Sequence, residues 1–161
     1  MIGNDVIDLA LATTQSNWKR NGYLDKIFTN LEQQLIFKNS NQDEMVWSLW
    51  SRKEAVYKVL IQKGMQEGYY PIKIECINAD YENGMVNFGN QIYYTKTIIS
   101  DDSIHSLALE NSDFFDNIKK IQYSKKLKII NGIPFYELNS KLLSASKSHH
   151  GRFEEIVYLQ S

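Results

Sequence analysis

Two carboxylates and one amine stand where they could hold a cation and a phosphate. Asp5 lies in "IGNDVIDL", flanked by apolar residues, where an unpaired buried charge would be costly. Glu54 lies in "WSLWSRKEAVYKVL", with Lys58 four residues on and so on the same face of a helix, one turn away. Taken alone, such a Glu–Lys pair is an ordinary solvent-facing helix pair, worth a few tenths of a kcal/mol (about 0.2–0.5). Asp5 taken alone is an ordinary strand-end aspartate. Together, however, two hard oxygen donors suit Mg²⁺, which takes one or two carboxylates, keeps several waters and completes its shell with substrate phosphates. Near the C-terminus, "SKSHHGRF" crowds Ser148, His149 and Arg152 around a glycine. A hydroxyl, an imidazole, a guanidinium and backbone N–H groups suit a phosphate, although a polar surface loop has the same composition. Zinc is disfavoured, because no Cys or HxxxH partner stands near the two adjacent histidines. The chemistry these residues support is Mg²⁺-assisted work on a phosphate-rich substrate.

The elements that must position them follow from hydrophobic periodicity. Ile2, Val6, Ile7 and Leu9 predict a strand at the very start of the chain, with Gly3 permitting a close backbone approach. Residues 23–39 carry Leu24, Ile27, Phe28, Leu31, Leu35 and Ile36 at helical spacing, and Thr29 with Glu32 matches a capping box at which a helix restarts. Residues 43–63 predict a long helix ended by Gly64. Strands follow after Pro71, with Asn83-Gly84 and Asn131-Gly132 as hairpin turns. Residues 112–126 read as a helix or loop of mixed charge. The final "SASKSHHGRFEEIVYL" reads as a polar loop feeding a short strand. The pattern is α+β: a helix-rich N-terminal half packed on an antiparallel sheet, in a single domain over 1–161.

Composition narrows the function class. A net charge of −1 over 161 residues gives no electrostatic case for nucleic acid. No apolar run is long enough to span a membrane, and the N-terminus lacks the basic-then-apolar pattern of a leader. The single cysteine, Cys76, lies in the apolar run "IKIECI" and reads as a core thiol, which suits a reducing cytoplasm.

Gly3 and Asp5 in "GND", Phe28, Thr29 and Glu32, and then Trp50 to Lys58 in "WSRKEAVYK", resemble the 4′-phosphopantetheinyl transferase superfamily, with its G-x-D strand and its later K-E-A-x-x-K helix. The Ser-His loop follows that helix, as in the small holo-acyl carrier protein synthase group. The resemblance implies that group's fold, with helices on an antiparallel sheet. It also implies an enzyme that transfers the 4′-phosphopantetheine arm of coenzyme A to a serine of an apo carrier protein, releasing 3′,5′-ADP. Asp5 and Glu54 would then be Mg²⁺ ligands. Glu54, directly or through a water, would help deprotonate the attacking serine. Lys58 would contact the pyrophosphate, Ser148 and His149 would sit near the nucleotide end of coenzyme A, and Lys53 would join the coenzyme-binding set. A non-catalytic protein that binds coenzyme A or a carrier is the alternative.

Three departures from the family pattern matter. The position that carries a third acid in two-lobed members is Ile7 here. Basic residues expected just after the first strand are missing until Lys19 and Arg20, which would then take over carrier docking. The chain is longer than a typical small member, with the extra residues around 105–140, where His105-Ser106 forms a second Ser/His pair read as strand. A chain without a second lobe implies a homo-oligomer, such as a trimer, to complete the coenzyme A pocket.

Overall fold

A computed structural model describes residues 1–121 and 126–160. Of the segment read as helix or loop, residues 122–125 lie outside the described residues. The rest of it forms a 3₁₀ turn over Ser112–Asn117 and a short strand, β6 (Ile118–Lys120).

The chain begins with β1 (Gly3–Asp8), followed by α1 (Leu9–Gln15), α2 (Tyr23–Ile27), α3 (Asn30–Lys38) and α4 (Gln42–Gln62). Then come β2 (Ile74–Ala79), β3 (Asn83–Phe88), β4 (Gln91–Ile99) and β5 (Ser103–Leu109). After β6 follow β7 (Leu127–Ile130), β8 (Ile133–Leu138), β9 (Lys141–His150) and β10 (Phe153–Leu159). The strands form two five-stranded antiparallel sheets, ordered β1-β5-β4-β3-β2 and β6-β10-β9-β8-β7. The helices pack chiefly on the first sheet, so the α+β expectation holds with a second sheet added.

The long helix α4 is the spine. The Asn41 side chain caps its N-terminus by accepting from Glu44 N–H. At the other end Gly64 takes φ +92°, and Met65 N–H and Gly64 N–H bond back to Leu60 and Ile61 carbonyls, a Schellman stop. Val46, Leu49, Val56 and Val59 are fully buried against the first sheet. The charge run of this helix is buried as well. Arg52 is fully enclosed and donates to Ser48 Oγ, Thr95 Oγ1 and Asp80 O. Gly3 lets β1 and α4 touch: a Cβ there would lie 1.8 Å from Ala55 O. That contact sets Asp5 beside the turn of α4 that carries Glu54 and Lys58.

The break between α2 and α3 falls where the capping box predicts it. Phe28 is extended, Thr29 Oγ1 accepts from Glu32 N–H, and Glu32 Oε2 accepts from Thr29 N–H. Asn131-Gly132 is a genuine two-residue turn, with φ +50° and +79°. Asn83-Gly84 is not a turn. Both residues lie inside β3, and the reversal is made by residues 80–82, where Asp80 Oδ1 accepts from the N–H groups of Glu82 and Asn83. Gly84 is small because the Arg52 guanidinium passes over it; a Cβ would come 2.0 Å from Nη1.

The segment expected to be a polar loop is strand β9, paired with β10 from His150↔Phe153 to Ala145↔Tyr158. Ser146 and Ser148 are buried although polar, because they face a backbone edge rather than an apolar core.

Candidate active site

β1 and α4 bring the two carboxylates to one place. Ser51 Oγ donates to the Asp5 backbone carbonyl, tying strand to helix. Lys58 Nζ donates to Asn4 O at 2.7 Å and lies 3.4 Å from Asp5 Oδ1. Ser148 Oγ donates to the same Oδ1 at 3.0 Å. Lys58 therefore crosses to β1 instead of pairing with Glu54, and the simple helix-surface pair does not form among the described residues.

Glu54 faces a pocket of about 210 Å³ lined by Asp5, Ile7, Tyr23, Trp47, Trp50, His149 and His150. A second pocket, of about 290 Å³, lies on its other side, lined by Trp50, Tyr57, Tyr69, Tyr70 and Ile74. Burial, and next the negative charge of Asp5, push the Glu54 carboxyl up to about 7. Burial also raises Asp5, against the lowering effect of Lys58 and the Ser148 hydroxyl. Two neighbouring carboxylates that both resist ionisation are a donor set suited to a divalent cation. The described residues contain no cluster of three or more His, Cys, Asp or Glu able to hold a metal, and Asp5 and Glu54 are the two carboxylates that line the pocket. Ile7, at the position of the missing third acid, lines the pocket as an apolar wall.

Lys53 points away from this site. Its ammonium donates to Ile27 O at 2.8 Å and to Glu32 Oε1 and Oε2 at 2.8 and 2.6 Å. All three of its protons are thereby used, and none is left for a coenzyme phosphate, so its place in the coenzyme-binding set is corrected to a structural ion pair.

The C-terminal group divides in a way that the sequence does not reveal. Ser148 is buried, accepts from Val6 N–H and donates to Asp5. His149 is exposed at the pocket rim. Arg152, placed in a phosphate loop by composition, is committed to Asp8: Nε and Nη2 reach the two carboxylate oxygens at 2.9 Å, and its backbone N–H adds a third bond. This holds the Asp8 carboxyl well below the usual carboxylate range, while Asp8 also caps α1 by accepting from Ala10 and Leu11 N–H.

His150, weighed in the sequence only as a zinc ligand, has a structural partner that the sequence does not reveal. Its Nδ1 accepts from Asp8 N–H at 2.9 Å, which leaves Nε2–H to donate to Gln15 Oε1. The period-2 row Ser144, Ser146, Ser148, His150 was the signal that could have found it. His105 and Ser106 lie inside β5 as expected. His105 is buried beside Asn4, and burial lowers it to about 4; Ser106 Oγ meets Thr97 Oγ1. Cys76 is fully enclosed, and burial pushes its thiol far above the usual range.

A family model described as the 4′-phosphopantetheinyl transferase superfamily matches residues 1–110, which carry Asp5, Glu54 and Lys58. The chain belongs to that superfamily. It is a phosphopantetheinyl transferase of the holo-acyl carrier protein synthase type. Solved structures agree on the fold. The Helicobacter pylori holo-[acyl-carrier-protein] synthase in complex with coenzyme A is 14% identical, over 68% of this chain and 98% of that one, with a TM-score of 0.55. The Bacillus anthracis holo-(acyl-carrier-protein) synthase, in complex with CoA (3′,5′-ADP), is 21% identical over 66% and 91%, with a TM-score of 0.52. The Neisseria meningitidis holo-[acyl-carrier-protein] synthase is 13% identical over 66% and 94%, also with a TM-score of 0.52. No curated protein matches the chain. In this phosphopantetheinyl transferase, strands β6–β10 lie beyond the family match, yet β9 supplies Ser148, His149 and His150 to the site.

Proposed function

We propose that this transferase moves the 4′-phosphopantetheine group of coenzyme A to a serine of an apo acyl or peptidyl carrier protein, with Mg²⁺, releasing 3′,5′-ADP. The observation that carries this reading is the convergence of Asp5 and Glu54, both resisting ionisation, with Lys58 beside them. A bound Mg²⁺ would supply positive charge against both the carboxylates and a diphosphate. Asp5 and Glu54 are the residues that would hold it. Glu54, poised near neutral pH, is also the group able to take the proton of the attacking serine hydroxyl. Lys58, already paired to the Asn4 carbonyl and Asp5, directs its charge at the diphosphate and stabilises the leaving group. His149, at the rim, suits the anionic nucleotide end of coenzyme A, and Ser148, next to it on β9, holds Asp5.

The decisive test is intact-mass spectrometry of an apo acyl carrier protein incubated with the enzyme, coenzyme A and Mg²⁺. A gain of one phosphopantetheine, abolished by EDTA, is expected. Binding of coenzyme A with no mass gain on several carriers would favour the non-catalytic alternative.

Carrier docking falls to Lys19 and Arg20 in this reading. They line a groove of about 400 Å³ with Trp18, Leu24 and Phe37, and Phe37 is exposed. A basic rim around an apolar floor suits an acidic partner. Lys19→Glu with Arg20→Glu should raise KM for the carrier by roughly tenfold or more, the order of one unfavourable charge contact, and leave kcat unchanged. Equal KM values would move docking elsewhere.

We keep a homo-oligomer, such as a trimer, in the reading only as a cover for the open mouth of the pocket, since β9 already builds one wall within the chain. Sedimentation of a monomer with full activity would remove it. The enclosed thiol of Cys76 suits a cytoplasmic setting, and no helix among the described residues is long and apolar enough to cross a membrane.

A further inference from the structure

Among the described residues β1 is an edge strand, its backbone paired with β5 alone. Its outward N–H groups at Asn4, Val6 and Asp8, and that of Ile2 just before it, have no carbonyl of a neighbouring strand to pair with, and buried orphan donors are costly. Each finds a side chain of β9 instead. Ile2 N–H donates to Ser144 Oγ at 3.2 Å, Asn4 N–H to Ser146 Oγ at 3.0 Å and Val6 N–H to Ser148 Oγ at 3.1 Å. Asp8 N–H donates to His150 Nδ1 at 2.9 Å. Two strands from different sheets are thus joined by a ladder with side chains for one set of rungs. This locks their register, because a slip of one residue would turn every serine away.

The hydroxyl protons of the ladder go to different places. Ser144 Oγ donates to Gln62 Oε1, at the far end of α4 from the site. Ser148 Oγ donates to Asp5 Oδ1. Ser148 is buried, and its single proton and an acceptor lobe are both spent on β1. It is therefore built to orient a carboxylate rather than to grip a ligand. Of the β9 ladder residues, it is the one that touches a proposed Mg²⁺ ligand, and it comes from the sheet outside the family match.

We propose that Ser148 is a positioning residue, one that fixes the Asp5 carboxylate for the cation through the β1–β9 side-chain ladder. This rests on the reading of Asp5 and Glu54 as the cation's protein ligands. A partner that orients a metal-binding carboxylate commonly contributes a factor of 10–100 to metal affinity.

The test is Mn²⁺ titration followed by electron paramagnetic resonance, with coenzyme A saturating, on wild type, Ser148→Ala, Ser148→Thr and Ser146→Ala. Ser148→Ala should bind Mn²⁺ about tenfold more weakly, and Ser148→Thr, which keeps the hydroxyl, should recover most of it. Ser146→Ala loses one rung without touching Asp5. It should lose as much resistance to urea as Ser148→Ala and keep wild-type Mn²⁺ affinity. The steady-state split should agree: a raised apparent Mg²⁺ constant and an unchanged KM for coenzyme A in Ser148→Ala. Equal Mn²⁺ affinity in the two alanine variants would overturn the positioning role. A raised KM for coenzyme A with wild-type Mn²⁺ affinity would also overturn it, by placing Ser148 on the ligand. A wild-type protein with no Mn²⁺ affinity would overturn the cation reading itself, and the proposal with it.

Discussion

Glu54→Gln should reduce transfer by about 10²–10⁴-fold while making the protein more stable at alkaline pH. The loss of activity follows because a neutral amide is a poor ligand for a hard cation and cannot accept the serine proton. The gain in stability follows from linkage. The folded Glu54 carboxyl titrates at about 7 against an ordinary value of 4.5, so between these values the folded state holds a proton that the unfolded chain has released. Stability contributed by this group is intact below the ordinary value and falls as pH rises to about 7. At pH 8 the ionised, partly buried carboxylate costs on the order of 3 kcal/mol, which the amide avoids. Urea denaturation in EDTA at pH 5 and pH 8 reads the difference. Wild type should lose stability between the two, and the variant should lose less. Adding Mg²⁺ to wild type should restore stability at pH 8, and added near pH 6, where the folded carboxyl still holds its proton, it should release that proton; the variant should show neither response. Wild-type turnover in Glu54→Gln would take Glu54 out of the mechanism, and parallel stability curves would mean the carboxyl is not strained by burial.

That trade-off bears on how far the candidate site was legible in the sequence. A carboxylate kept at a cost, one turn from a lysine and in line with "GND", is a local departure from what stability alone would select, and such departures mark function. Asp5, Glu54 and Lys58 were legible because strand and helix periodicities place each on a definite face. The β9 side of the site was not. A row of serines alternating with Ala145, Lys147 and His149 has no hydrophobic pattern, and composition reads it as loop. Its period of two carries meaning only once the unpaired edge of β1 is known to lie opposite, which is a tertiary fact. The same limit explains Asn83-Gly84. The dipeptide fits a hairpin turn, but its glycine is fixed by the buried guanidinium of Arg52, far earlier in the chain on α4. Arg152 was misjudged for a related reason: composition shows a guanidinium near a glycine, but not the Asp8 carboxylate across the sheet junction that claims it.

Lys53→Met should be the most destabilising single change in the site helix, and its effect should lie on folding rather than on coenzyme A. Lys53 and Glu32 are both buried, and their pair joins four elements, α2, α3, α4 and β2. The ammonium donates to the last carbonyl of α2, at Ile27, and to both Glu32 oxygens. Glu32 in turn accepts from Thr29 N–H, closing the α3 capping box, and from Cys76 N–H on β2. Methionine fills the volume of the lysine stem but leaves a buried carboxylate without its counter-ion, a change that typically costs about 3–5 kcal/mol. Adding Glu32→Gln should recover part of that loss, since the amide keeps an oxygen for one of the two backbone donors and carries no charge. The double-mutant cycle in urea measures the coupling. The same variants, assayed well below their melting temperatures, should keep the wild-type KM for coenzyme A, because no proton of the Lys53 ammonium is free to reach a phosphate. A raised KM with unchanged stability would instead return Lys53 to the coenzyme-binding set that the motif alone suggests.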